Sequence, residues 1–259
     1  MGTQEQYIYG IHAVQEAIQS GREIEKILIG KYTRNDHIRE LVTLIRQEQV
    51  PCQFVPQEKL QSYTRKNHQG VVAVLAPVIY QKLEHLIPQL YEQGELPFLV
   101  ILEGVTDVRN LGAIARSAEC AGVHALVIPV KGSAQVTADA IKTSSGALNS
   151  LPVCRTMNLA QSITYLKNSG LSIIGASEKA DRLYFDADYT HPLALVLGSE
   201  GRGISTEIMK TCDMLLRIPV YGNISSLNVS VAGSLIVYEV VRQRRLLQNG
   251  SRTVNHQPE

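Results

Sequence analysis

The sequence predicts an α/β protein: a mostly parallel sheet covered by helices on both faces, preceded by a smaller α/β unit. Three observations carry that prediction. From Pro97 on, continuous aliphatic runs such as Phe98–Leu102 and Leu193–Leu197 alternate with stretches of helical spacing, as expected for strands buried on both faces. Residues 1–78 hold a smaller alternation of the same kind, closed by Pro77. Between them, residues 79–96 are polar and contain Pro88 and Gly94, the composition of a linker.

In the first unit, Gly10–Ile18 has helical spacing, with Ile11, Val14, Ala17 and Ile18 on one face. A strand follows over Ile24–Ile29, then an amphipathic helix over Asn35–Gln49 carrying Ile38, Leu41, Val42 and Ile45. Gln53–Val55 reads as a short strand, Pro56 as the first position of a short helix, and Gln69–Ala76 as an apolar strand. The Tyr63–His68 loop, with Arg65 and Lys66, is the candidate phosphate-contacting patch. A short helix is expected at Leu83–Leu90 of the linker.

The second domain, 97–247, takes strands at Phe98–Leu102, His124–Val130, Leu171–Ala176, Leu193–Leu197 and Met214–Ile218. Its helices fall at Leu111–Ala121, Thr137–Ala147, Leu159–Asn168, Ser205–Lys210 and Leu227–Leu246, the last capped by Ser225 or Ser226. Gly222 and Asn223 suit a tight, partly left-handed turn. Residues 248–259 form a polar tail with the composition of disorder.

Composition narrows the class. With 44% apolar and 19% charged residues in 259, the chain reads as soluble and globular. A net charge of +1 gives no global basic field, although a local patch would serve an RNA partner. Cys52, Cys120, Cys154 and Cys212 are scattered, which favours reduced thiols and argues against a zinc site. No metal is expected. Neither a signal-like amino terminus nor a run of membrane-spanning length is present, so a cytoplasmic protein is expected.

Three stretches carry chemistry. The first, Leu102–Gly122, takes a strand through a polar loop into a helix. Asp107 and Asn110 fit there either as helix caps or as site residues. Arg116 has Gly112, Ala113, Glu119 and Cys120 as helix neighbours. A long cation over small residues suits phosphate or carboxylate recognition, and a salt bridge to Glu119 is the alternative. The second, Leu195–Gly203, is a glycine-rich turn holding Glu200. Its glycines at 198, 201 and 203 match neither the dinucleotide fingerprint nor a Walker loop. The third, Ile218–Gly233, ends a strand at Pro219 and opens a helix with small and polar residues, Asn228, Ser230 and Ala232 among them. An ordinary strand–turn–helix explains it as well on local grounds. Together the three would meet at the carboxyl edge of one sheet, where open α/β sheets bind ligands.

These stretches resemble the three motifs of the SpoU group of RNA ribose 2′-O-methyltransferases, in the trefoil-knotted SPOUT superfamily. Ser226–Ala232 is the most specific match, and Val220 departs from the family's usual methionine. Tyr9–Val14 and Gln69–Ala73 also resemble the ends of a small L30e-like substrate-binding domain. The resemblance implies a deep knot threaded by the last helix, a homodimer with shared sites, and S-adenosyl-L-methionine bound at Gly198, Ile218, Leu227 and Gly222. It implies catalytic or orienting roles for Arg116, Asn110, Glu200, Ser226 and Asn228 in methylating a ribose 2′-hydroxyl. The family branch points to a guanosine of 23S, large-subunit ribosomal RNA, with neither DNA nor membrane as partner. Transfer RNA is the alternative substrate, and a non-catalytic RNA-binding assembly factor the alternative class. A dehydrogenase is disfavoured by the missing glycine fingerprint.

Overall fold

The computed structural model describes residues 6–33 and 36–253. Arg34, Asn35 and the end of the expected polar tail, 254–259, lie outside the described residues. Packing divides the chain into two compact units: residues up to Ile79 with Val136–Ala138, and Tyr80–Gln135 with Asp139 onward.

The first unit contains β1 (Tyr7–Tyr9), α1 (Ile11–Gln19), β2 (Ile24–Gly30), α2 (Asp36–Gln47), β3 (Cys52–Val55), α3 (Gln57–Gln61) and β4 (Val71–Leu75). Its sheet has the order β1-β4-β2-β3, antiparallel except for the β2–β3 pair. Alternation sorts the strands' side chains. Ile27, Ile29, Val71 and Ala73 meet α1 and α2 on one face, while Leu28 and Val72 meet Leu60 on the other. The two stretches that resemble domain ends touch: the Gln69 side chain accepts the Ile11 N–H at 3.1 Å and caps α1. Gln69 and Gly70 take positive φ angles of 51° and 78°, so β4 starts at Val71 rather than at Gln69 as expected. The Tyr63–His68 loop differs from expectation in part. His68 is buried and its Nδ1 accepts the Gly70 N–H at 3.0 Å, and Tyr63 packs on the Leu28–Leu60–Val72 cluster. Only Arg65, Lys66 and Asn67 remain exposed.

The second unit contains β5 (Tyr80–Gln81), α4 (Leu83–Glu92), β6 (Phe98–Leu102), α5 (Val108–Cys120), β7 (Ala125–Pro129), α6 (Ala138–Thr143), β8 (Val153–Thr156), α7 (Leu159–Asn168), β9 (Ser172–Ala176), β10 (Leu193–Leu197), α8 (Thr206–Met209), β11 (Met214–Leu216) and α9 (Val229–Thr253). Its seven strands run β11-β9-β10-β6-β7-β8-β5, and every pairing is parallel. One face, with Leu99, Ile101, Val127, Ile173 and Val196, buries α4, α7 and α8. The other carries α9, since a Cβ on Gly233 would stand 2.6 Å from Leu197 Cδ1. The Ser234 hydroxyl meets that of Ser117 at 2.7 Å, fixing α9 to α5. Both small residues therefore serve packing within one chain.

Three helix expectations shift. The helix expected over 137–147 stops at Thr143, because Ser145 and Gly146 turn left-handed at φ 53° and 88°. The last helix starts at Val229 and runs to Thr253, through the first part of the expected tail. Its cap is Asn228, whose Oδ1 accepts the Ser230 N–H at 2.9 Å, rather than Ser225 or Ser226. At its far end the Arg244 guanidinium donates to the carbonyls of Leu96, Tyr189 and His191, tying α9 to the start of β10.

Candidate active site

The carboxyl ends of β9, β10 and β11 open onto a cavity of about 590 Å³ beside the first turns of α9, a volume suited to a small ligand or cofactor. Three segments wall it: the turn after β9 at Ser177–Lys179, the loop at 198–204, and the stretch from Arg217 to Asn228.

The 198–204 loop folds back on itself. Ser199 and Gly203 exchange backbone hydrogen bonds at 3.1 and 2.9 Å, with Gly201 and Gly203 at φ 83° and 67°. Gly198 is compulsory for that fold, since a Cβ there would sit 2.1 Å from the Gly203 carbonyl carbon. Glu103, just past β6, accepts the Ser205 N–H at 2.9 Å and holds the loop's far end.

The loop presents Glu200 to two amides. Its Oε1 accepts from Asn110 Nδ2 at 2.7 Å and from Asn228 Nδ2 at 2.6 Å. Asn228 also donates to Asn110 Oδ1 at 3.0 Å. Residues 90 and 28 positions from Glu200 in the chain are thus joined through one oxygen. Asp107 takes the capping role at α5, accepting the Arg109 N–H at 2.7 Å. The Arg109 side chain also donates to it and holds its carboxyl below the usual range.

The Arg217–Asn228 stretch is of the opposite kind. Among the described residues, 218–227 contribute no hydrogen bond to the rest of the chain. Tyr221 is 94% exposed, and Ile224 nearly as open. Neither Gly222 nor Asn223 has a positive φ, so the expected left-handed turn is absent.

Of the expected site residues, Gly198, Ile218, Leu227, Glu200, Ser226 and Asn228 line the cavity, and Asn110 joins through its hydrogen bonds. Gly222 does not line it. Arg116 is exposed on α5 and stands clear of the cavity, about 120° round the helix from Asn110 by the 3.6-residue repeat. Among the described residues its side chain has no hydrogen-bonding or ionic partner, so the alternative salt bridge to Glu119 does not form. Sequence reading missed Ser177–Lys179, Arg202 and Arg217. The first follows the carboxyl end of a parallel strand, which was signal enough.

Comparison with known proteins decides the family. A model described as the SpoU rRNA Methylase family matches residues 97–238. The chain belongs to that family. It is an RNA methyltransferase, and its residues 7–81 match a second model, RNA 2′-O ribose methyltransferase substrate binding. A TrmH family tRNA/rRNA methyltransferase of Bacillus subtilis, YacO, is 36% identical over 94% of this chain and 98% of its own. A relative of the same description from Staphylococcus saprophyticus is 39% identical over 93% and 96%. Among solved structures, the SpoU methyltransferase AviRb of Streptomyces viridochromogenes, in complex with AdoMet, is similar at 27% identity. Its TM-score is 0.59, over 93% of this chain and 91% of that one. The A. aeolicus TrmH/SpoU tRNA modifying enzyme is 30% identical with a TM-score of 0.55, over 64% and 86%.

Proposed function

We propose that this SpoU family member transfers a methyl group from S-adenosyl-L-methionine to the ribose 2′-hydroxyl of a guanosine in large-subunit ribosomal RNA. The observation that carries the reading is the Asn110–Glu200–Asn228 cluster, formed by all three sequence motifs at the rim of one cavity. Its residues suit the cofactor. Leu197, Leu216 and Ile236 offer apolar wall for an adenine, and the unbonded peptide groups of 218–227 offer donors and acceptors for its edge. Ile218, Leu227 and Gly198 would hold that end, while Gly222 does not line the cavity in the conformation described. When bound, S-adenosyl-L-methionine supplies the electrophilic methyl group.

The chain's own residues supply orientation and charge. Glu200 fixes the two amides, and Asn110, Asn228 and Ser226 place the hydroxyl. A guanidinium with a pKa above roughly 12 is a reluctant base. Arg116 therefore holds the neighbouring phosphate and stabilises the developing alkoxide, with proton removal to that phosphate or to water.

Arg116 is exposed and does not line its own cavity, so in this reading it serves the cavity of a second copy in a homodimer. Val231, Leu235 and Tyr238 are all exposed and spaced to form one apolar face in the first half of α9, and the exposed Leu227 stands just before that helix. That face is the contact we assign to the dimer. The trefoil knot belongs to the same reading, with α9 passing beside the 198–204 loop.

The test is transfer of labelled methyl to undermodified ribosomal RNA and, separately, to transfer RNA. Label at one alkali-resistant linkage of large-subunit RNA is expected. Label confined to transfer RNA would overturn the target and keep the chemistry. No label in either, with cofactor still bound, would favour an assembly factor. Arg116→Ala is expected to lower turnover by roughly 10²- to 10³-fold, as loss of a charge-stabilising donor does, with cofactor affinity retained. Mixing Arg116→Ala with Glu200→Ala chains restores turnover if each site draws on both copies. No recovery on mixing would put Arg116 and Glu200 of one chain in the same site.

A further inference from the structure

The first unit has a groove that its folding does not explain. β3 is the edge strand of its sheet, and alternation puts Phe54 on the same face as Cys52, the face that α2 covers. Cys52 is partly buried against the core there, but Phe54 remains 55% exposed. Between α2 and β3 lies a hollow of about 480 Å³, lined by Phe54, Val42, Ile38, Arg39, Arg46, Thr33 and Thr43. Among the described residues no carboxylate lines it.

Its cations are available. Among the described residues Arg46 makes no side-chain hydrogen bond or ion pair, and its charge acts on the Cys52 thiol. Arg39 pairs with Asp36 at 3.1 Å, but both side chains are more than 80% exposed. An exposed pair of that kind is held weakly and yields readily to a phosphate. An exposed aromatic side chain sharing a hollow with two arginines suits an unstacked nucleotide: the base stacks on the ring, and the guanidinia take its phosphates. A protein-docking patch would instead show contiguous apolar surface, and here Ile38 is buried while Phe54 and Val42 share the lining with two arginines and two threonines.

We propose that this groove seats one unpaired nucleotide of the substrate RNA, with its base on Phe54 and its flanking phosphates on Arg39 and Arg46. The proposal rests on the reading of the chain as an RNA methyltransferase and gives its first unit a definite contact.

Binding to full-length protein is measured with unmodified transcripts of large-subunit ribosomal RNA and of transfer RNA, across a salt series. Phe54→Ala is expected to weaken the RNA that binds by about tenfold, as loss of a stacking platform does, and Phe54→Trp to keep its affinity. Arg46→Ala is expected to weaken binding and to lower the salt dependence by about one phosphate contact. Cofactor affinity and turnover at saturating RNA stay as in the parent chain. Unchanged RNA affinity in Phe54→Ala, or full affinity in Phe54→Leu, overturns the stacking seat. So does a change in oligomeric state in Phe54→Ala with RNA affinity intact, which would make the groove a protein contact. Affinity is read without methyl transfer. A chain that binds RNA through Phe54 but transfers no label would therefore fail the activity reading and keep this one.

Discussion

Two of the cavity's three walls are built in opposite ways. The 198–205 loop is closed by its own backbone pair, anchored by Glu103, and tied through Glu200 to α5 and α9. Facing it, 218–227 leaves its peptide groups without partners in the chain, among the described residues. Backbone polar groups do not stay unpaired, so water holds these until a ligand exchanges for it. One wall presents a carboxylate already oriented, and the other acquires its order from what binds. Stored orientation serves the reacting groups, where small displacements are expensive. An adaptable wall serves entry and exit of a cofactor that the protein must also enclose.

If that contrast is right, damage to the fixed wall is the most severe. Gly198→Ala would drive a methyl group into the Gly203 carbonyl carbon at 2.1 Å, and backbone cannot step aside as a side-chain tip can. Overpacking of this kind costs about 1–3 kcal/mol. Relief requires breaking the Ser199–Gly203 pair, which would release Glu200 from its two amides. Calorimetry should find cofactor affinity reduced by more than about tenfold, and thermal melting a clear loss of stability. Normal affinity in this variant would show that the folded-back loop is dispensable to the cavity.

Glu200→Ala acts on the same wall without disturbing its backbone. Asn110 and Asn228 would lose their shared acceptor. A hydrogen bond to a charged group contributes about 1.5–3 kcal/mol, and the exposure of Glu200 reduces this. Single-turnover transfer should slow by roughly 10- to 100-fold, with Glu200→Gln recovering part because it keeps a carbonyl oxygen. A parental rate in Glu200→Ala would mean the cluster is a surface link between loops and nothing more.

The same contrast explains what could be read from sequence. Aliphatic strands such as Phe98–Leu102 and Leu193–Leu197 came through to the residue, because burial on both faces writes itself into composition. Tyr80–Gln81 and Val153–Thr156 were missed. They are short, and their tyrosine, glutamine, arginine and threonine carry no such signature. The second and third motifs supplied the two facing loops of the cavity, but neither the Ser177–Lys179 turn nor the fact that Asn110, Glu200 and Asn228 share one oxygen, since pairing across 90 positions has no local trace. The assignment of the α9 cap to Ser225 or Ser226 failed for a related reason. Serine and asparagine cap equally well, and Asn228 was chosen because its amide nitrogen also reaches Glu200.

Gly222→Ala is the mildest change and the sharpest probe of the open wall. Nothing stands within 4 Å of a Cβ at this position, and its φ is not left-handed. Alanine here removes conformational freedom without a clash, an effect of about 0.4–1 kcal/mol. If 218–227 binds in the conformation described, the variant should hold cofactor as well as the parent or a few-fold better, since less order remains to be imposed. A tenfold loss measured by calorimetry would say the reverse. It would mean that the segment closes on its ligand through a backbone conformation only glycine adopts readily, the left-handed turn that the sequence suggests at Gly222 and Asn223. The two walls would then differ in timing, one turned before binding and the other during it.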